Sequence, residues 1–340
     1  MSHPIADLLA EKSFLVADGA MGTNLFAQGL MSGDSPEFWN VEFPERIRKV
    51  HQDFVDAGSD LILTNSFGGN RHRLKLHEVQ GRVGELNRAA ARVAREVADG
   101  ASRKVLVCGS IGPTGEIFQP VGALSHEEGV EAFAEQAIAL AEGGADVLWI
   151  ETISAQEEMA AAVEGAARAG LPIVTTMSFD TNGRTMMGLT PEAALGAAHV
   201  LPVRPIGFGA NCGIGPAQLL HSILSFRKSR DANDIIVAKG NCGVPEYVDG
   251  AIKYSGSPEV MANYARLARD AGAQIIGGCC GTSAVHVRAM REALDSHVPA
   301  HVPSISEIEA LLGPVAFSGL APTHGGGGEE PSRRRNRRRD

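Results

Sequence analysis

The chain has 340 residues, 44% hydrophobic and 21% charged, with a formal net charge of −9; six arginines and three acids fall from His324 onward, so the remainder carries −12. An acidic body without a basic, aromatic-interleaved stripe repels phosphate and excludes nucleic acid as a partner. Five scattered cysteines make no disulfide framework, no apolar run approaches the ~20 residues of a membrane span, and "MSHPIADLLAEKS" lacks the features of a signal peptide, so a reducing cytoplasm is expected.

The first strand is expected in "SFLVADGA" (13–20), followed by a helix over 44–58 with Ile47, Val50, Phe54 and Val55 on one face and Pro44 near its start. Strands follow in "DLILTNSFGG" (60–69) and "VLVCGSIGPTG" (105–115). The helix over 125–144 opens "SHEE", a capping box of Ser125 and Glu128, and closes on Gly143-Gly144. After the strand "DVLWIET" (146–152), the helix "SAQEEMAAAVEGAARAG" (154–170) repeats that design from Ser154. Further strands are read in "PIVTTMSFD" (172–180), "PIGFGANCG" (205–213), "DIIVAKGNCG" (234–243) and "AQIIGGCCG" (273–281). Helices at 257–272 and 282–294 complete the pattern, and "DAGSD", "EGGAD" and "DAGAQ" each mark a helix stop leading into a strand.

The strand interiors are nearly continuously apolar, as in strands covered on both faces. Eight such units predict an α/β protein with a single-domain (β/α)₈ TIM barrel over 1–320. The low-complexity tail 321–340, "APTHGGGGEEPSRRRNRRRD", is expected to be disordered and solvated.

Active sites of such barrels sit at the C-terminal strand ends. Those ends carry Asp18 and Gly19; Asn65 and Ser66; Ser110; Glu151 and Thr152; Ser178 and Asp180; Asn211 and Cys212; Asn241 and Cys242; Cys279 and Cys280. Four of the five cysteines thus gather at three strand ends, whereas Cys108 lies inside its strand as a small hydrophobe. Thiolates converging from separate strands, with no C-x-x-C pair, suit a catalytic zinc with an open position. A vicinal disulfide or inert buried thiols are the alternatives. Zinc held by three thiolates carries a net −1 and is suited to binding a substrate thiol, with a free pKa of about 8.5, as a nucleophilic thiolate. Asp18 and Glu151 can hold the ammonium of an amino-acid substrate; a turn role is the alternative for Asp18, while an unpaired charge ending an apolar strand favours function for Glu151.

In the order "DGAMGTNL", "TNSFGGN", "GSIGPTG", "ETISAQEE", "GANCGIGP", "GGCCGT", residues 10–295 resemble the homocysteine S-methyltransferase family. That family includes betaine–homocysteine methyltransferase and the homocysteine-binding module of cobalamin-dependent methionine synthase. The resemblance implies Cys212, Cys279 and Cys280 as ligands of one zinc per chain. It implies Asp18 and Glu151 as groups holding homocysteine; Gly19, Ser66 and Asn211, read from their places at the strand ends, are expected to line the same substrate site. It implies methyl transfer to the homocysteine thiolate, giving methionine. Cys242 departs from the family's wording and is kept off the ligand set.

A betaine site needs aromatic faces around a quaternary ammonium, and the chain is only 5% aromatic. Phe67 matches one aromatic of the betaine enzymes, Trp39 stands near another, and Gly68 replaces a tyrosine. The "DGAMGT", "SIGPTG" and "ETI" wordings look closer to the methionine-synthase module, and that resemblance implies as donor a methylcorrinoid (methylcobalamin) carried by a separate protein, with betaine or a methylsulfonium as the alternative. A reading of another class is a non-catalytic thiol or redox subunit using Cys279-Cys280. The sequence is compatible with an oligomer and does not specify one.

Overall fold

The computed structural model of the chain describes residues 3–248 and 251–315; the tail 321–340 lies outside the described residues. Ten strands occur among them: β1 (Leu15–Val16), β2 (Leu61–Leu63), β3 (Leu106–Ile111), β4 (Val147–Ile153), β5 (Ile173–Met177), β6 (Gly207–Cys212), β7 (Ile235–Gly240), β8 (Pro245–Val248), β9 (Ala251–Tyr254) and β10 (Ile275–Gly278). All but β8 and β9 form one parallel sheet, ordered β1-β10-β7-β6-β5-β4-β3-β2. A parallel bridge from Ala17 to Leu61 joins its two edges. There the Asp60 N–H donates to the Val16 carbonyl at 2.7 Å and the Asp18 N–H to the Leu61 carbonyl at 3.0 Å. The expected (β/α)₈ barrel is the result, and each of the eight strand runs holds one of its strands.

Alternation along the strands explains why apolar residues fill both faces. Leu15, Leu61, Leu63, Leu106, Cys108, Val147, Trp149 and Ile275 share the apolar cluster inside the barrel. Their strand neighbours Val16, Ile62, Val107, Leu148 and Ile276 belong to the larger cluster shared with the helices. Fully burying each such large aliphatic side chain contributes roughly 1.5–3 kcal/mol. Ile5 and Leu8, on a helix Pro4–Glu11 that sequence reading missed, join the interior cluster. Beside the closure, buried Asp60 accepts from the Val16 N–H and pairs with Lys12 and Arg291.

The expected helices form as Pro44–Asp56, His126–Glu142, Pro258–Asp270 and Ala284–Asp295. Ser125 and Glu128 make the capping box. Gly58, Gly144 and Gly272, with φ of 102°, 104° and 99°, end helices in the left-handed region that glycine adopts without strain. The helix Gln156–Ala167 corrects one expectation: its N-cap is Ala155, without a side-chain cap, so Ser154 does not repeat Ser125. β4 runs on through Ile153 past a register shift, and the helix starts one residue later than the motif suggests. The antiparallel pair β8–β9 is an insertion between β7 and the next helix. Among the described residues, no helix is long and apolar enough to cross a membrane.

Candidate metal and substrate site

Strands β6, β7 and β10 are neighbours in the barrel, and their C-terminal ends bring the thiols together. Cys212 ends β6 with φ +62°, a conformation costly for a side-chain-bearing residue. On the neighbouring side, β10 stops at Gly278 and the chain turns over Cys279-Cys280. The Cys279 N–H still donates to the Gly240 carbonyl at 2.7 Å, and the Cys280 carbonyl accepts from the Cys242 N–H at 2.9 Å. The turn is tied by the Thr282 N–H and hydroxyl, both donating to the Cys279 carbonyl. A Cβ on Gly278 would lie 2.3 Å from Thr282 Oγ1, and Gly281 has φ +78°. The glycines thus let both adjacent cysteines face one point, which a continuing strand would forbid.

The sulfurs of Cys212, Cys279 and Cys280 all lie within 4.8 Å of one another, with Cys212 and Cys280 4.0 Å apart. Tetrahedral zinc with Zn–S bonds of about 2.3 Å places sulfurs ~3.8 Å apart, so this donor set fits that ion with small adjustments. Asn241 Nδ2 reaches Cys212 Sγ at 3.6 Å and Asn211 Nδ2 reaches Cys279 Sγ at 3.8 Å, so amide donors face two of the sulfurs. The neighbouring Cys279 thiol favours the Cys212 thiolate. The Cys280 thiol and burial outweigh that gain and push Cys212 up to about 11. A divalent cation taken up here must therefore release protons.

Cys242 lies outside this group. It is 1% exposed, and its Sγ donates to the Gly256 carbonyl at 2.9 Å. Cys108 is fully buried in the barrel interior. Tyr254, which sequence reading missed, ends β9 beside the cysteine turn; its ring leaves no space for a Cβ on Gly281.

Next to the thiols, the apolar interior ends in a charged layer. Glu151 lies in the irregular stretch of β4, where Thr152 has φ +64°. Asn211 clamps that bulge: its Oδ1 accepts from the Thr152 N–H at 2.9 Å and the Thr176 hydroxyl at 2.8 Å, and its Nδ2 donates to Thr152 Oγ1 at 2.7 Å. Such bulges re-aim side chains near sites. Glu151 Oε1 accepts from the Ser110 hydroxyl at 2.6 Å, and burial raises its pKa.

Asp18 is buried at the end of β1, one oxygen 2.7 Å from Lys239 Nζ and the other accepting from the Leu63 N–H at 2.7 Å. Lys239 was hidden in sequence by its apolar strand. Burial disfavours its charge, but Asp18 and Glu151 outweigh that and hold its pKa above the ordinary lysine value. Gly19 gives the chain room to pass: a Cβ there would lie 2.7 Å from Thr282 Oγ1 and 2.8 Å from Phe54.

The remaining expected residues are less closely gathered. The Ser66 hydroxyl pairs with Thr64 and donates to the Ser110 carbonyl, within a buried network. Trp39 is buried, with Phe43 edge-on at 5.4 Å and the Arg46 guanidinium 4.6 Å from its ring centroid. Phe67 is 39% exposed and packs against Gly112. Among the described residues, no ring contact joins it to Trp39. A second cluster, His199, Asp231 and Asp234, already holds a cation, because Arg204 pairs with both aspartates.

A family model described as homocysteine S-methyltransferase matches residues 15–294. Methionine synthase of Mycobacterium tuberculosis (strain ATCC 25618 / H37Rv) is 31% identical over 306 residues, covering 85% of this chain and 25% of that protein. Methionine synthase of Mycobacterium leprae (strain TN) is 30% identical over 330 residues, covering 89% and 27%. The chain therefore spans about a quarter of the length of these relatives. Among solved structures, the homocysteine methyltransferase MmuM from Escherichia coli, in its oxidized form, superposes with a TM-score of 0.72 at 24% identity, covering 86% of this chain and 99% of that one. A methyltransferase from Methanosarcina mazei gives a TM-score of 0.53 at 13% identity, covering 83% and 94%. At these identities the structural likeness concerns the fold.

Proposed function

Because the chain belongs to the homocysteine S-methyltransferase family, we propose that it is a zinc-dependent enzyme that methylates homocysteine to methionine. The observation that carries this reading is the convergence of Cys212, Cys279 and Cys280 within 4.8 Å beside the carboxylates of Glu151 and Asp18. Zinc held by these three cysteines would stabilise the substrate's sulfur as a thiolate and leave it nucleophilic.

The chain's own residues do the rest. Glu151 and Asp18 attract the substrate ammonium, with Lys239 paired to Asp18 at 2.7 Å. Asn211 fixes the bulge that carries Glu151, Gly19 and Thr282 hold the cysteine turn against the end of β1, and Ser66 and Ser110 line the acidic side. The methyl group moves to sulfur and its carrier departs with the bonding electrons. The thioether product is a weaker ligand than a thiolate, which favours its release.

The donor we infer is a methylcorrinoid presented by a separate protein. In support, the aromatic face of Trp39 already carries the chain's own Arg46, and Gly68 follows Phe67 without an aromatic. The exposed Phe67 ring is the observation favouring betaine or a methylsulfonium, and those donors are the second reading. Metal analysis under reducing conditions, followed by a methionine assay with homocysteine and each donor, tests the proposal. About one zinc per chain with methionine formation supports it. Absence of zinc, with a ready Cys279–Cys280 disulfide, favours the redox subunit instead.

A further inference from the structure

Among the described residues, Lys239 is the only lysine or arginine that the fold buries, at 1% exposure. A buried ammonium is costly unless paired. On β7 it pairs in register with Asn211 of β6 and Gly277 of β10, and the next residue, Gly240, pairs with Cys212. The Gly240 carbonyl accepts the Cys279 N–H at 2.7 Å. Lys239 thus stands one residue below the point where the cysteine-bearing strand ends meet. Its Nζ lies 2.7 Å from Asp18 Oδ1 and 5.7 Å from the ring centroid of Trp149 in the barrel interior. The titratable groups acting on it are Asp18 after β1, Cys108 in β3, Glu151 in β4 and Cys279 after β10. Burial opposes its charge, and Asp18, Glu151 and Cys279 together outweigh burial, so it stays an ammonium.

The charge of the bound sulfur gives that ammonium a use. Zinc with three thiolates carries −1. Homocysteine bound as a thiolate takes the centre to −2, whereas methionine, a neutral thioether, leaves it at −1. The two amino acids share the same ammonium and carboxylate. Glu151 opposes the added negative charge, and among the described residues Lys239 is the one buried lysine or arginine that can offset it. Charges inside the fold are screened far less than charges on the surface.

We propose that Lys239 is a positioning residue whose charge makes the site prefer a thiolate over a thioether, so that it holds the substrate and lets the methylated product go. The assignment rests on the homocysteine reading and concerns the ligand's sulfur rather than its ammonium.

The test needs no methyl donor. The zinc-loaded full chain is titrated calorimetrically with L-homocysteine and with L-methionine, and zinc content is measured for each variant. The ratio of the two affinities is the readout, because contacts to the shared ammonium and carboxylate cancel in it. Asp18→Asn and Asp18→Asn/Lys239→Met differ only at residue 239, and neither leaves a charged Asp18 without its partner. Asp18→Asn, which frees the ammonium from its counter-charge, raises the preference for homocysteine above the native value. The double variant lowers it roughly tenfold or more below Asp18→Asn, the size of effect that one nearby charge has on an ionising group.

A merely structural pair would change both affinities alike and leave the ratio where it was. A double variant with the same ratio as Asp18→Asn overturns the assignment. If the double variant loses its fold or its zinc, Asp18→Asn alone decides, and a preference at or below the native value overturns the assignment. Native protein that binds neither ligand overturns the homocysteine reading itself, and the assignment with it.

Discussion

Lys239→Met keeps the side-chain length and removes the cation. Asp18 is then left 2% exposed, with the Leu63 N–H as the remaining donor to its carboxylate. Breaking a buried pair from one side costs about 3–5 kcal/mol, a large part of the ~5–15 kcal/mol that keeps a typical protein folded. The double variant Asp18→Asn/Lys239→Met should recover most of that loss. The penalty also carries a sign in pH. Burial raises the Asp18 pKa and Lys239 is the main group opposing it, so removing Lys239 raises the folded-state value further. The folded variant then holds a proton that the unfolded chain releases, and its stability rises as pH falls. The slope reaches at most ~1.4 kcal/mol per pH unit for one proton. The deficit is full above the raised folded pKa and disappears below the unfolded value near ~3.9. Urea unfolding of variant and native protein at pH 8, 6.5 and 5 should show the gap narrowing towards acid. A gap below ~1 kcal/mol, or one independent of pH, would refute the buried-pair argument.

Cys280→Ala should abolish zinc retention and methyl transfer while leaving the far-ultraviolet circular dichroism of the barrel unchanged; near-native activity would remove the ligand assignment. Cys242→Ser, which keeps a donor to the Gly256 carbonyl, should retain one zinc per chain and lose less than ~1.5 kcal/mol of stability in urea titration, whereas loss of the metal would make Cys242 a ligand. In the donor panel, turnover should require a methylated corrinoid protein, and rapid turnover by the chain alone with betaine would select the small-donor reading.

The barrel was legible because its strands are apolar on both faces and its helices end on glycines. All eight strand runs and the punctuation at Gly58, Gly144 and Gly272 correspond to observed elements. The cysteines were legible for a related reason, since strand ends in a barrel share one face. What escaped depended on long-range geometry. Lys239 sits in "IIVAKG", where its neighbours spell a buried strand, and only closure of the barrel places Asp18 opposite it. The bulge around Thr152 displaced the next helix start to Gln156 and defeated the Ser154 capping pattern. The pair β8–β9 was missed although "EYVDGAIKY" contains an Asp-Gly between two β-prone runs, a usable hairpin signal. Tyr254 went with it, because its packing on the cysteine turn depends on how that pair lies at the barrel mouth.

The central claim is that three cysteines hold zinc and that homocysteine binds it through sulfur. X-ray absorption at the zinc edge tests this directly, without any methyl donor. The resting protein should show three sulfurs at about 2.3 Å and one lighter atom, and homocysteine should convert this to four sulfurs. Zinc well below one per chain, or a sulfur count unchanged by homocysteine, would contradict the account.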